Sequence, residues 1–248
     1  MAAAVPHPCP VFVLGNQKSG TTAIAALLAA ATGLRATLDF AGAWHPFIGP
    51  LVRGDTDMDT FVRRNASAFS APIIKEPNLT FVTDRLLQQF PRARTAFIVR
   101  NPWDNIRSIL ARVRLRGDLI APTFTRRING TWRGILSGED IRLPRDHYVA
   151  TLARRWLRAT DIARRAGSGS ISIRYEDFCL AKAETVYALA NSFDLPVTTQ
   201  IEDMVDRAFQ RRSGDVGQSA DFFGPQNLAR ITDIVRSRAE EIGYLPPQ

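Results

Sequence analysis

Lysine is scarce in this chain of 248 residues. Only three of its 32 basic residues are lysines, Lys18, Lys75 and Lys182, and the rest are arginines. Two of the three fall in segments that read as sites, where lysine offers a compact ammonium on a flexible stem in place of a planar fork. Cysteine is almost as rare: Cys9 and Cys179 make no disulfide framework and show no metal-ligand spacing. With histidine confined to His7, His45 and His147, no metal site is expected, and the composition suits a reducing cytoplasm. Long apolar runs are also missing. Ala23–Ala31 is too short to span a bilayer, and Pro6, Pro8 and Pro10 interrupt any leader-like stretch, so the expectation is a soluble, unprocessed protein with no membrane partner. The net charge of +8 favours anionic ligands. The arginines are spread along helical segments without interleaved stacking aromatics, which argues against a nucleic-acid partner.

What is present starts with Gly15-Asn16-Gln17-Lys18-Ser19-Gly20-Thr21-Thr22. The stretch follows an apolar strand, Pro10–Leu14, and precedes an Ala/Leu-rich helix from Ala23 to Ala31. Successive backbone N–H groups and the positive end of a helix therefore converge on one point, which favours an anion. An NTPase loop places lysine directly after the second glycine, whereas here Lys18 stands two residues before Gly20. A phosphate other than that of ATP is the expected ligand. The plainer alternative is a strand-to-helix turn capped by Thr21 or Thr22.

Further along, 33–71 is punctuated by Gly, Pro and Asp, with one helix expected near Asp57–Phe69. A short strand at 71–74 ends in Lys75-Glu76-Pro77, and a helix follows over Thr83–Phe90. Arg94–Arg100 is the clearest strand, and Pro102 opens the next helix. Residues 111–147 are rich in arginine and glycine and read as a long, partly ordered insertion. Helix returns over Asp146–Arg165, a strand over Ser170–Arg174, and helices over Lys182–Phe193, Thr198–Phe209 and Gln226–Ile242. Four strands separated by helices predict a single α/β domain over 1–248, a parallel sheet flanked by helices. Ligands of such sheets bind at the carboxyl ends of the strands, where Lys18, Lys75, Arg100 and Tyr175 would converge.

On these segments the chain resembles, over most of its length, the sulfotransferases that use 3′-phosphoadenosine 5′-phosphosulfate (PAPS). Lys18-Ser19-Gly20-Thr21-Thr22 is similar to that family's 5′-phosphosulfate loop. Arg100-Asn101-Pro102-Trp103-Asp104-Asn105-Ile106-Arg107-Ser108 is similar to its 3′-phosphate motif, with Arg100 and Ser108 as the phosphate ligands. Ile173-Arg174-Tyr175-Glu176-Asp177-Phe178 resembles the segment that brings a tyrosine near the nucleotide. Arg212-Ser213-Gly214-Asp215-Val216-Gly217 resembles the loop that wraps the 3′-phosphate and adenine, with Ser213 replacing the family's lysine. The resemblance implies a P-loop sulfotransferase, probed with PAPS or its desulfo product PAP, whose cofactor contacts are Gly15, Gln17, Lys18, Ser19, Gly20, Thr21, Thr22, Arg100, Ser108, Tyr175, Arg212, Ser213 and Gly214. Ala23 stands where many cytosolic members carry a tryptophan, leaving Trp103 and Phe223 as candidates to stack on adenine.

For catalysis the resemblance implies Lys18 at the 5′-phosphate and bridging oxygen, Lys75 at the equatorial sulfonate oxygens or the bridging oxygen, and no metal. Cytosolic members place a histidine two residues after the second lysine, where this chain has Pro77. Members that use a carboxylate beyond the first helix direct attention to Asp39, flanked by Leu38 and Phe40; burial there would raise its pKa. His45 and Glu76 are the other candidates for the base. The implied partner is a hydroxyl-bearing acceptor, a small molecule, natural product or glycan. Phe40, Trp44 and Phe47 favour a ring-bearing acceptor, and the arginines of 111–147 an anionic or polyhydroxylated one. Two rival readings stand beside this one: a P-loop kinase, disfavoured because the strand ends in Arg100 and not in an aspartate, and an inactive nucleotide-binding module. Nothing in the sequence fixes the oligomeric state.

Overall fold

The structure is a computed structural model that describes residues 4–122, 124, 128–207 and 219–247. Five parallel strands form one sheet in the order β2-β3-β1-β4-β5: β1 (Val11–Gly15), β2 (Ala36–Leu38), β3 (Ile73–Lys75), β4 (Arg94–Val99) and β5 (Ser170–Arg174). Central β1 is buried along its whole length, as a strand covered on both faces requires. Its side chains alternate: Val11 and Val13 face one helical layer, Phe12 and Leu14 the other.

On the first face lie α1 (Thr21–Thr32) and, much later in the chain, the helix Lys182–Ser192, sharing a core of Leu27, Leu28, Val186 and Leu189. The second face is covered by the segments of 41–90, with Phe61, Phe69 and Leu86 against the sheet. Beside it, α2 (Pro102–Arg112), α3 (Gly130–Ser137), α4 (Tyr148–Arg165) and α5 (Ser219–Glu241) pack around Trp103, Trp156 and Phe223. α5 begins earlier than expected and is kinked at Gly224-Pro225, where Gly224 leaves helical geometry. Among the described residues no helix is long and apolar enough to cross a membrane.

Several expectations need correction. The sheet has five strands, not four; β2 is three residues long and half-buried to exposed, so it lacks the apolar run that marks a buried strand. The helix expected near Asp57–Phe69 divides at Asn65, whose side chain donates to the Phe61 carbonyl at 2.8 Å. Over 198–207, where a helix was expected, the only helical element is the 3-10 turn Glu202–Met204; Thr198 and Thr199 spend their N–H groups on the Ala31 carbonyl at the end of α1. The arginine-rich segment 111–147 contributes Ile128, Ile135 and Leu136 to the same core as α2, α4 and α5. Within it Asn129 caps α3 by accepting from the Trp132 N–H.

Gly15 closes β1 with φ at 143°, and a β-carbon there would stand 2.4 Å from the Ile98 carbonyl oxygen of β4. Backbone cannot yield as a flexible side chain does. Gly15→Ala is therefore expected to lose about 2 kcal/mol in urea unfolding with an unchanged m-value. A loss below about 0.5 kcal/mol would show that the β1–β4 junction adjusts freely.

Candidate functional site

β1 is the point where the chain's connections diverge, toward β3 and β2 on one side and β4 and β5 on the other. A crevice opens at the carboxyl edge of the sheet at such a point. The loop that enters it from β1 contains three left-handed residues, Gly15, Lys18 and Gly20, a succession that turns backbone N–H groups inward. Gly20, not Thr21 or Thr22, is the N-cap of α1, and as a glycine it brings no side chain to cap the helix. The positive helix end is thus presented to the crevice without an internal acceptor from the cap residue.

Cations gather at this helix start. Lys18 is half-buried, and its pKa lies below the ordinary lysine value because of burial first, then the like charges of Arg112, Arg100 and Lys75. Arg100 donates from Nη1 to the Lys18 carbonyl at 2.8 Å, and its Nε is buried with no hydrogen-bond partner among the described residues. Its guanidinium lies 4.6 Å from the Tyr175 ring centroid, and a β-carbon on Gly20 would meet that same ring at 2.3 Å. Trp156 holds the strand end by donating to the Arg100 carbonyl at 2.8 Å. Glu176 does the same from the other side, accepting from the Asn101 N–H at 2.9 Å and from the Tyr244 hydroxyl at 2.6 Å. Ser108 is half-buried on α2, one turn before Arg112. Arg112 escaped the sequence reading, although its i, i+4 spacing from Ser108 puts both on one helix face.

The side chains of Gln17 and Ser19 turn away from the crevice. Gln17 donates from Nε2 to Asn78 Oδ1 at 2.6 Å, and Ser19 Oγ accepts from Asn105 Nδ2 at 3.0 Å. Asn16 donates to Asn105 Oδ1 at 2.9 Å. Beneath them Arg155, fully buried, binds both carboxylate oxygens of Asp140 at 2.8 and 2.7 Å. Sequence reasoning missed this layer. The signal for Arg155 is its place among the buried Thr151, Leu152 and Ala159, three and four residues away on one face of α4.

The β2 and β3 loops bring Asp39, Lys75 and Glu76 together. Lys75 Nζ donates to Asp39 Oδ1 at 2.6 Å, and the Asp39 N–H donates to the Lys75 carbonyl at 2.9 Å. The burial expected around Asp39 surrounds Glu76 instead: the Asp39 side chain is 30% exposed, whereas Glu76 is 1% exposed. Burial, reinforced by the charge of Asp39, pushes the Glu76 carboxyl up to about 7. It accepts from the N–H groups of Asn78 at 3.0 Å, Trp44 Nε1 at 3.1 Å and Phe40 at 3.4 Å. His45, next in the chain to Trp44, has its ring against Gly134 of α3 and its carbonyl accepting from Thr131 Oγ1 at 3.3 Å. Trp44 and Phe47 are exposed. Of the adenine-stacking candidates, Trp103 and Phe223 are both buried in the helical core. Arg212, Ser213 and Gly214 fall outside the described residues.

No protein-family model matches this sequence, and no curated protein does. Solved structures match along its whole length. The sulfotransferase domain from the curacin biosynthetic pathway is similar at a TM-score of 0.56 and 13% identity, covering 98% of this chain and 100% of that one. A sulfotransferase from Mycobacterium avium gives 0.57 and 14%, over 100% and 79% of the two chains. A mouse sulfotransferase complexed with PAP gives 0.55 and 13%, over 95% and 85%. The chain has the sulfotransferase fold.

Proposed function

We propose that this protein transfers a sulfuryl group from PAPS to a hydroxyl of a small-molecule, natural-product or glycan acceptor. The observation that carries this reading is the crowding of Lys18 by Arg100, Arg112 and Lys75 at an uncapped helix start, an arrangement that a polyanion relieves. The residues fit such a ligand: the buried Arg100 Nε has no partner among the described residues, and the glycines let the loop backbone come close. Lys18 and the loop N–H groups would hold the 5′-phosphate, and Arg100 with Ser108 the 3′-phosphate. PAPS supplies the activated sulfuryl group. Lys18 offsets charge developing on the leaving oxygen, and Lys75 meets the sulfonate oxygens, so charge stabilisation and alignment lower the barrier. Asp39 takes the acceptor proton. Glu76, braced by three donors, holds Phe40 and Trp44 and thereby the turn that carries Asp39.

PAP is expected to raise the melting temperature well beyond adenosine 5′-phosphosulfate, because loss of the 3′-phosphate contacts costs about 3 kcal/mol. Equal shifts would remove the nucleotide assignment. Lys18→Ala should lose both turnover and part of the PAP affinity, while Lys75→Ala loses about 10²-fold in turnover and keeps its affinity. Steady-state rates and calorimetry on the two variants separate these roles; normal turnover in Lys75→Ala would refute the second.

The two carboxylates separate by pH. Asp39→Asn should lower kcat by about 10²-fold or more with PAP binding intact. For Glu76 the folded-state pKa of about 7 exceeds the ordinary 4.5, so between those values the folded protein binds more proton than the unfolded chain. Stability contributed by protonated Glu76 is present below pH 4.5 and lost as pH rises through 7, a decline of about 3 kcal/mol. Urea titrations of Glu76→Gln should lack this decline. If Asp39→Asn instead keeps its rate while Glu76→Gln loses it, the base is Glu76.

A further inference from the structure

We propose that Arg155 is a positioning residue: anchored by Asp140, it fixes the Lys18 loop against the Lys75 loop. For its catalytic meaning this rests on the transfer reading above; its structural meaning is independent of it. The sheet alone does not set that spacing. Parallel pairing aligns Val13 with Lys75, but Lys18 lies three residues past the end of β1, and Asn78 three past the end of β3. The first loop has left the hydrogen-bond ladder before it reaches Lys18; Lys75 is still on the ladder, and the turn that follows it, with Asn78, is not.

Arg155 closes the gap from below. Its Nε donates to Gln17 Oε1 at 3.0 Å and Asn16 Oδ1 at 3.2 Å, the two residues preceding Lys18. Its Nη2 donates to Asn78 Oδ1 at 3.2 Å, the atom to which Gln17 also donates. Asn78 in turn gives its N–H to Glu76, next to Lys75. Asp140 takes Nη1, and Phe81 covers the guanidinium face at 4.4 Å. Only a planar fork reaches the carboxylate and both loops at once; an ammonium lacks that geometry. A buried ion pair is weak evidence for stability, since well-packed apolar replacements often serve a fold equally well. The three loop contacts give this one a different use. Asp140 comes from the arginine-rich segment 111–147, which thereby bears on the phosphate loop through Arg155.

The test uses Arg155→Lys, which retains a charge opposite Asp140 without the fork, and the double variant Arg155→Met/Asp140→Leu, which removes both charges. Because the chain has only three lysines, 13Cε-lysine labelling gives three side-chain signals in wild type and in the double variant and four in Arg155→Lys, and Lys18 is assigned in each background by Lys18→Ala. In the folded variants Lys18 should titrate higher than in wild type, as the loop relaxes away from Arg100, Arg112 and Lys75. PAP affinity by calorimetry should fall about tenfold. A merely structural Arg155 would lower the melting temperature and leave the Lys18 titration unmoved, and that result, in either folded variant, overturns the proposal. Should wild type fail to bind PAP, the transfer reading falls, and the Lys18 titration alone decides the positioning role.

Discussion

Like charges repel, and the crevice of this protein is organised around that repulsion. Lys18 is held half-buried beside Arg100, Arg112 and Lys75, and each of these is fixed by a different part of the fold. Lys18 is set by a left-handed turn, Arg100 by the end of β4 and the indole of Trp156, Arg112 by the last turn of α2, and Lys75 by Asp39. Hydrophobic burial in three adjoining cores supplies the stability against which this local cost is set. In water such a cluster would disperse; held on a sheet edge it becomes a field aimed at one point.

The sheet and the lysine loops are legible in the sequence because their signals are local. β1 and β4 are apolar runs followed by glycine or by Pro102, β5 alternates serine with isoleucine before an acidic helix start, and the 15–22 stretch carries its glycines at the turn. What is not legible depends on partners distant in the chain. Arg155 is one arginine among many on helices, and its adjacent Arg154 is an ordinary exposed residue paired with Asp146. Asn16, Asn78 and Asn105 read as turn or helix polar residues until folding brings them to one buried layer. The glycines of 111–147 read as breakers, yet Gly134 is where a histidine ring packs and Gly138 is the left-handed stop of α3.

The carboxylates show how closely such environments can diverge. Asp39 and Glu76 share Lys75 as a neighbour, but one pairs with it in reach of solvent and the other is enclosed by N–H donors. Apolar flanking residues in the sequence do not decide which is buried, because Leu38 is exposed while Phe40 packs on Phe61 and Phe69. The β2 edge, short and poorly covered, leaves Asp39 open; the 3-10 turn after β3 folds Glu76 inward.

The left-handed conformation of Lys18 bears on how this protein responds to selection. A lysine at φ 64° costs roughly 1 kcal/mol that glycine would not, and its charge adds to a crowded field. Replacement there by an uncharged residue tolerant of that conformation removes both penalties. Directed evolution under heat alone would therefore drift toward a more robust protein stripped of its central ammonium, so a library for thermostable variants needs a functional filter at this one codon.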